Sequence, residues 1–383
     1  MSRLKQILQN CALILGSTVF AVLLLEVCIR VFVPSVANTQ NIRVYDPELS
    51  YKFLPHLDTV IHNSTGDRHI ITNSYGYIGE DFPLAKPAGE YRIANIGDSY
   101  VEGDQEVDWD KNFVALIGSG LTKDMQNGTT YRSMDFGVSG RGQIEEYWVY
   151  KYLVSKISPD LTILWVTEVN DLGNNYLPQG APEATNANTY GKIKYYIKKS
   201  ALVTLLFEHL KTNPTALNVF QKLHLTNARY EVQNTGLPDM EQTINFSTDP
   251  KDNEMQQRAY QTTRELFHNL SADIDRDGGE LLVVIIPAFA NDEAYKKAFF
   301  EGYPKADASK LDFTKAHRFF TDMFNAEGIT YLDLADPLRE YAEGKSTLPN
   351  CGTLWGDHFT PCGHKVAAAI VSDFIKTNYL SGN

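Results

Sequence analysis

The sequence predicts an α/β domain built on a mostly parallel sheet of about five strands, preceded by an N-terminal transmembrane helix. Short apolar runs typical of buried strands alternate with segments whose apolar residues recur at helical spacing. Such alternation favours a parallel sheet that helices cover on both faces through right-handed crossovers. The chain has 383 residues, 43% of them hydrophobic, which is enough for one large domain with attachments.

The N-terminal segment carries the signal for the transmembrane helix. Residues 6–25 lie between Lys5 and Glu26 and contain no charged side chain. A helix of this length, which rises by about 1.5 Å per residue, spans about 30 Å, the hydrocarbon thickness of a bilayer. The apolar character continues to residue 33, so we predict an anchor over 6–33.

The charges at the two ends of this segment predict its orientation. Arg3 and Lys5 mark residues 1–5 as a cytoplasmic tip, because basic residues are enriched on the cytoplasmic side. A signal peptide cleaved after Ala37 and the buried helix of a soluble protein stay open as alternatives. With an anchor or a signal peptide, the body of the protein is extracytoplasmic.

The rest of the chain divides by composition. Residues 34–90 are polar and rich in turn formers, which predicts a stalk with short strands. The main domain is predicted over 91–380. Residues 174–252 interrupt its pattern with Asn, Pro and Thr clusters, so we interpret them as an insertion over the site.

The main domain contains the alternating elements. The predicted strands are 92–96, 134–138, 161–167, 281–286 and 329–334. The helical patterns are near 113–121, 143–157, 255–277, 313–326 and 361–377. In sheets of this kind the chemistry gathers outside the carboxyl ends of the strands.

Composition and spacing also bear on partners. The formal net charge is −12 and no long Lys/Arg run is present, so we predict no nucleic-acid partner. Neither a His-x-x-x-His pattern nor paired Cys spacing occurs, so no metal site is predicted. No cofactor is predicted either.

Polar residues follow three of the predicted strands. Ser99 stands in Gly97-Asp98-Ser99-Tyr100 after the first strand, where a nucleophile can face substrate. Gly140 follows the second strand and Asn170 the third, and both can supply N–H donors. His358 lies on the loop before the last helix. A serine needs a base and an acyl-transfer intermediate needs oxyanion donors, so these parts predict acyl transfer.

These motifs resemble the four blocks of the SGNH, or GDSL-like, hydrolase family. The resemblance covers about 71–171 and 350–375, in the family's order. It implies a flavodoxin-like three-layer sandwich. The implied site residues are Ser99 as nucleophile, His358 as base with Asp357 as its partner, and Gly140, Asn170 and the Ser99 backbone N–H as oxyanion donors.

Two positions depart from the family pattern. Glu168 stands where the third block usually has a glycine, which predicts a narrower pocket or a charge beside it. Asp357 is adjacent to His358, whereas the family's Asp precedes its His by two or three residues. Neighbouring side chains in an extended segment point apart, so Asp357 needs a tight turn to reach His358.

The four cysteines form two pairs in the sequence. Cys351 and Cys362 flank the Asp357-His358 loop, and an oxidising compartment favours a disulfide between them. Two free buried thiols are the alternative. Cys11 and Cys28 lie in the apolar N-terminal segment, where we predict that they only pack.

The predicted function is therefore that of a membrane-anchored serine hydrolase, an esterase, lipase or deacylase, that cleaves ester bonds outside the cytoplasm. The reaction passes through an acyl-serine intermediate, and the substrate is an acylated small molecule or saccharide. An O-acyltransferase, such as an O-acetyltransferase, that modifies an extracytoplasmic polysaccharide uses the same covalent step and is the first alternative. An inactive carbohydrate-binding scaffold is the second.

Overall fold

The structure is a computed structural model, and its described residues are 2–32, 42–46, 50–63, 66–103, 107–176, 200–210, 236–287, 293–355 and 358–381. Contacts divide the chain into two compact units. One unit comprises Met1–Tyr45 and Asn186–Tyr230, and the other comprises Asp46–Thr185 and Glu231–Asn383.

The described strands and helices are numbered in chain order. The strands are β1 Arg43–Asp46, β2 Ser50–Phe53, β3 Asp58–Asn63, β4 Gly66–Ile71, β5 Glu90–Ile96, β6 Thr130–Asp135, β7 Leu161–Thr167, β8 Glu280–Ile286 and β9 Tyr331–Asp333. The helices are α1 Ser2–Phe32, α2 Ser99–Glu102, α3 Phe113–Met125, α4 Gln143–Tyr152, α5 Asp171–Tyr176, α6 Ala201–Leu210, α7 Met240–Phe246, α8 Asn253–Arg276, α9 Glu293–Gly302, α10 Lys315–Glu327, α11 Ala335–Ala342 and α12 Pro361–Tyr379.

Helix α1 agrees with the predicted anchor in length and composition. Its segment Lys5–Phe32 has 28 residues and contains an 18-residue window with a mean hydropathy of 2.5, so the helix is long and apolar enough to cross a membrane. Near its end, Glu26 pairs with Arg30 at 2.7 Å, as the i,i+4 spacing allows. Within the same unit the Glu26 carboxylate also accepts the backbone N–H groups of Ala201 and Leu202 at the start of α6.

The larger unit contains the predicted parallel sheet. Its strand order is β6-β5-β7-β8-β9, and every neighbouring pair is parallel. The fold class predicted from the sequence is confirmed. Strand β7 is buried along its whole length, which is why its sequence is a nearly continuous apolar run.

Helices cover both faces of this sheet. Alternate residues of the central strands enter two separate cores, as the two-residue period of a strand requires. Ala94, Leu164 and Val283 pack with α4, α8 and α10 on one face. Ile93, Trp165 and Val284 pack with α3, α11 and α12 on the other. The domain is thus a three-layer sandwich.

The second strand begins earlier than predicted. The sequence predicts 134–138, whereas β6 is Thr130–Asp135. Strand β6 is at the edge of the sheet, so Thr130 is exposed and Arg132 and Ser133 are half-buried. A search for a continuous apolar run therefore misses the polar start of an edge strand.

Residues 46–90 share the compact unit of the sheet. Strands β3 and β4 form an antiparallel hairpin. The buried Arg92 guanidinium donates to the carbonyls of Pro83, Leu84 and Ile157, which ties the segment before β5 to the domain. The boundaries predicted for a stalk over 34–90 and an insertion over 174–252 stay predictions.

Candidate active site

Ser99 and His358 meet at the carboxyl end of the sheet. Ser99 is the first residue of α2, directly after β5, and Asp98 caps this short helix by accepting the Tyr100 N–H at 2.9 Å. His358 lies just before α12. Its Nε2 is 2.8 Å from Ser99 Oγ, although the two residues are 259 positions apart. This is the distance that a base needs to take a proton from a serine hydroxyl.

Aromatic packing holds the His358 ring in place. Its ring centroid lies 4.7 Å from that of Tyr100, the residue after Ser99. Tyr100 also packs edge-on against Phe359 at 5.2 Å. The backbone after the histidine is anchored as well, because Thr360 N–H donates to the Leu354 carbonyl at 2.9 Å.

The predicted disulfide between Cys351 and Cys362 is present. It joins the segment before His358 to the first turn of α12. Tyr341 supports it from α11 by accepting the Cys351 N–H through its hydroxyl at 2.6 Å. Asp357 lies outside the described residues, so its partnership with His358 stays a prediction.

His364 has a structural role and is not the residue beside Ser99. It is 1% exposed, and its Nδ1 accepts the Phe113 N–H at 3.2 Å at the start of α3. Burial is the main cause that lowers the pKa of His364 to about 3. The ring is therefore neutral in the folded protein at all but strongly acidic pH.

This depressed pKa predicts a pH-dependent contribution to stability. The unfolded chain protonates His364 below about 6.5, whereas the folded chain resists until about 3. The stabilisation is therefore present above pH 6.5 and is lost as the pH falls through that window. The difference in unfolding free energy between the parent and His364→Asn should shrink by about 1.4 kcal/mol per pH unit there.

Urea unfolding of the two proteins from pH 7 to pH 5 measures this difference. The buried carboxyl groups are common to both proteins and cancel in the comparison. His268→Asn, at an exposed histidine, controls for the substitution itself. A parent-to-variant difference that is the same at every pH would contradict the assignment.

Gly140 lies on the loop after β6, which pairs with the backbone just before Ser99. Gly140 has a φ of +79°, a conformation that residues with a Cβ rarely adopt. Val138 N–H donates to the Gly97 carbonyl at 3.2 Å, so the loop pairs with the chain just before Ser99. The start of the loop is thereby hydrogen-bonded to the segment that leads into Ser99.

Asn170 lies on the turn between β7 and α5, next to Asp98 of the Gly97-Asp98-Ser99 motif. Its Nδ2 donates to Asp98 Oδ2 at 3.0 Å. One hydrogen of the amide is used in this bond, and the second is available to a ligand. Burial is the main cause that raises the pKa of Asp98, while the bond from Asn170 acts in the opposite direction.

Asp171 stabilises this turn through hydrogen bonds. Its Oδ2 accepts the Thr167 N–H at 2.8 Å and an N–H of the Gln143 side chain from α4. Burial raises the pKa of Asp171 well above its usual value, and burial with the nearby Asp171 does the same for Glu146. Sequence reasoning missed Gln143, because a polar residue that begins a helix resembles an ordinary surface position.

Glu168 belongs to a charged cluster with His317 and Asp333. It is 4% exposed, and its Oε1 accepts a hydrogen bond from His317 Nδ1 at 2.5 Å. The other ring nitrogen lies 3.3 Å from Asp333 Oδ2 at the end of β9. The bond to Glu168 is the main cause that raises the pKa of His317. The departure at Glu168 signalled a charge here, but the sequence did not indicate its partners.

Comparisons with known proteins give matches only among solved structures. No protein-family profile matches the chain, and no curated protein matches it. One similar structure is described as a lipolytic protein of the G-D-S-L family from Desulfitobacterium hafniense. It is 10% identical with a TM-score of 0.35, and the match covers 74% of this chain and 98% of that one.

Two further similar structures are esterases. An acetylxylan esterase from Geobacillus stearothermophilus is 10% identical with a TM-score of 0.37, over 75% of this chain and 93% of that one. A two-domain esterase active on acetylated mannans is 11% identical with a TM-score of 0.37, over 76% of this chain and 50% of that one. At such identities and TM-scores the chemistry of this chain has to follow from its own site.

Proposed function

We propose that this protein is a serine hydrolase that cleaves ester bonds through an acyl-serine intermediate. The observation that carries the proposal is the contact of 2.8 Å between Ser99 Oγ and His358 Nε2 at the carboxyl end of the sheet. The same contact favours an enzyme over an inactive scaffold, because a scaffold has no need of a base on a serine hydroxyl.

The geometry supports a two-step reaction. His358 Nε2 takes the proton of Ser99 Oγ as the oxygen bonds to the acyl carbon, and the carbonyl oxygen becomes an oxyanion. When the intermediate collapses, the ester C–O bond breaks and His358 gives its proton to the leaving alcohol. Water then attacks the acyl-serine, passes its proton to His358 and releases the acid, and Ser99 regains its proton.

Three N–H donors are proposed to hold the oxyanion. They are the backbone N–H groups of Ser99 and Gly140 and the side-chain amide of Asn170. The bond from Asn170 to Asp98 orients the amide before substrate arrives, so little reorganisation is needed in the transition state. Such preorganised donors commonly make the largest single contribution to acyl transfer.

Asn170→Ala is expected to lower kcat for ester hydrolysis by about 10² to 10³-fold, since it removes one oxyanion donor. Steady-state turnover of p-nitrophenyl acetate measures the effect. Circular dichroism of the variant checks that the overall secondary structure is retained. A variant that folds normally and turns over at the parent rate would remove Asn170 from the site.

The acceptor of the acyl group separates a hydrolase from a transferase. The test incubates the purified full-length protein with acetylated xylo- and manno-oligosaccharides, with and without unacetylated oligosaccharide. Release of free acetate at the same rate in both conditions supports the hydrolase. Acetyl groups that appear on the added oligosaccharide, at the expense of free acetate, support the O-acyltransferase instead. Absence of both products, from a protein that turns over p-nitrophenyl acetate, would exclude these acetylated saccharides as substrates.

We propose that α1 anchors the domain with its N-terminus in the cytoplasm and the active site outside it. Arg3 and Lys5 support this orientation, and the Cys351–Cys362 disulfide is typical of an oxidising compartment. In sealed membranes of known orientation, an impermeant reagent should reach a C-terminal tag from the extracytoplasmic side and an N-terminal tag only after lysis. The reverse pattern would overturn the orientation, and loss of the N-terminal tag from the mature protein would replace the anchor by a cleaved signal.

A further inference from the structure

The loop that carries Gly140 continues the parallel pairing of β6 with β5. Phe136 N–H donates to the Asn95 carbonyl at 2.8 Å, and Val138 N–H donates to the Gly97 carbonyl at 3.2 Å. After Gly97 the backbone that follows β5 turns into α2. The extended backbone with which the rest of the loop could pair therefore ends at Gly97. The last part of the loop needs another acceptor.

Glu102 supplies that acceptor from the end of α2. Its Oε2 accepts the Ser139 N–H at 2.7 Å, and the residue is only 2% exposed. A backbone N–H bonded to a carboxylate out of water is stronger than a neutral hydrogen bond. Ser99 begins the same helix and Gly140 follows Ser139, so this one side chain links the nucleophile to an oxyanion donor.

The loop and α2 are also in direct van der Waals contact. A Cβ on Gly137 would clash with the backbone nitrogen of Glu102, so the loop packs directly on the backbone of α2. A second set of hydrogen bonds joins the loop to α2. The Asp135 carboxyl group accepts the Gly137 N–H at 2.7 Å and an N–H of the Asn112 side chain. The Asn112 side chain also donates to the Val101 carbonyl of α2 at 2.7 Å. This second set should keep the loop folded when the Glu102 carboxylate is removed.

We propose that Glu102 is a positioning residue for the reaction. Its carboxylate holds Ser139 so that the Gly140 N–H stays at a fixed distance from Ser99 Oγ as charge develops on the oxyanion. The inference rests on the proposed function, because it assigns Glu102 a role in that reaction. It adds a carboxylate whose effect is transmitted through the backbone of the loop and not by contact with substrate.

The test compares Glu102→Ala with Glu102→Gln in the full-length protein. Displacement of a catalytic group by about 1 Å can cost about 10²-fold in rate, so Glu102→Ala should lower kcat by about 10 to 10²-fold and leave KM for p-nitrophenyl acetate within about 2-fold. Inhibition by phenylboronic acid, which forms a tetrahedral adduct on serine, should weaken in parallel with kcat/KM. Glu102→Gln keeps an oxygen acceptor and should recover most of the rate.

Asp160→Ala is the matched control. The Asp160 carboxylate also accepts a backbone N–H of β5, that of Arg92 at 2.7 Å, but near the amino end of this strand, whereas Ser99 follows its carboxyl end. Its removal should leave kcat and boronic acid inhibition unchanged. An equal loss of kcat in Asp160→Ala and Glu102→Ala would reduce the effect of Glu102 to general destabilisation and overturn the inference.

Amide hydrogen exchange of residues 136–141 provides a readout that does not depend on activity. Exchange at Ser139 should be faster in Glu102→Ala than in the parent, and protected in Glu102→Gln and Asp160→Ala. Unchanged exchange in Glu102→Ala, or a parent-like kcat in a variant with faster exchange, overturns the inference. If the parent shows no turnover that depends on Ser99, the proposed function fails and the catalytic role of Glu102 fails with it, while the exchange data still decide whether Glu102 holds the loop.

Discussion

Ser99→Ala is expected to lower kcat for ester hydrolysis by at least about 10⁴-fold, because the nucleophile of the covalent step is lost. The variant should also lose labelling by a fluorophosphonate probe, which reacts with a serine that a neighbouring base activates. The parent geometry motivates both results, since His358 Nε2 lies 2.8 Å from Ser99 Oγ. Turnover of p-nitrophenyl acetate and in-gel fluorescence are the two measurements.

A second serine provides the control for the labelling. Ser372 is also buried, at 7% exposure, but it lies on α12 away from the carboxyl ends of the strands. Ser372→Ala should label and turn over as the parent does. If Ser99→Ala labels as strongly as the parent, the nucleophile is another residue.

His358→Ala is expected to cause a loss of kcat of similar size, at least about 10⁴-fold, because nucleophile and base act as one unit. His364→Asn should retain turnover near neutral pH, because His364 contacts the start of α3 and not Ser99. Steady-state kinetics at pH 7 on both variants distinguishes the two histidines. An active His358→Ala together with an inactive His364→Asn would show that the motif alignment has slipped.

Asp357 can be placed on the same scale. Loss of a fully engaged triad aspartate costs about 10⁴-fold in kcat. Asp357 is adjacent to His358 in the sequence, so we expect Asp357→Asn to cost less than that. A loss equal to that of His358→Ala would show that the chain makes the tight turn that brings Asp357 to the ring.

The central sheet could be predicted because its chemistry is local. Strands β7 and β8 are buried on both faces, so their residues form apolar runs, which stop at Glu168 and at Pro287. The polar first half of β6 lacked this signal, because an edge strand exposes part of its residues. The positions of Ser99, Gly140 and Asn170 after three strands followed from the rule that chemistry gathers at carboxyl ends.

Which polar groups meet at those ends depended on packing between distant segments. Two histidines, His358 and His364, stand six positions apart in one motif. The neighbouring residues do not indicate which of them is the base and which is a buried hydrogen-bond acceptor. Only the entry of α12 into the domain places His358 on Ser99 and buries His364 against Phe113. The bonds of Glu102 to Ser139 and of Glu168 to His317 likewise join segments that are 37 and 149 residues apart.

The sequence by itself determined the strand and helix alternation, the apolar N-terminal helix and the identity of the candidate nucleophile. These depend on the periodicity of neighbouring residues and on turn residues at fixed offsets, which any one segment displays alone. The tertiary structure alone decided which polar side chains are hydrogen-bonded, buried and shifted in pKa. A hydrogen bond needs its two atoms within about 3 Å, and such distances are set by the order of the strands and the packing of both helical layers, not by spacing along the chain.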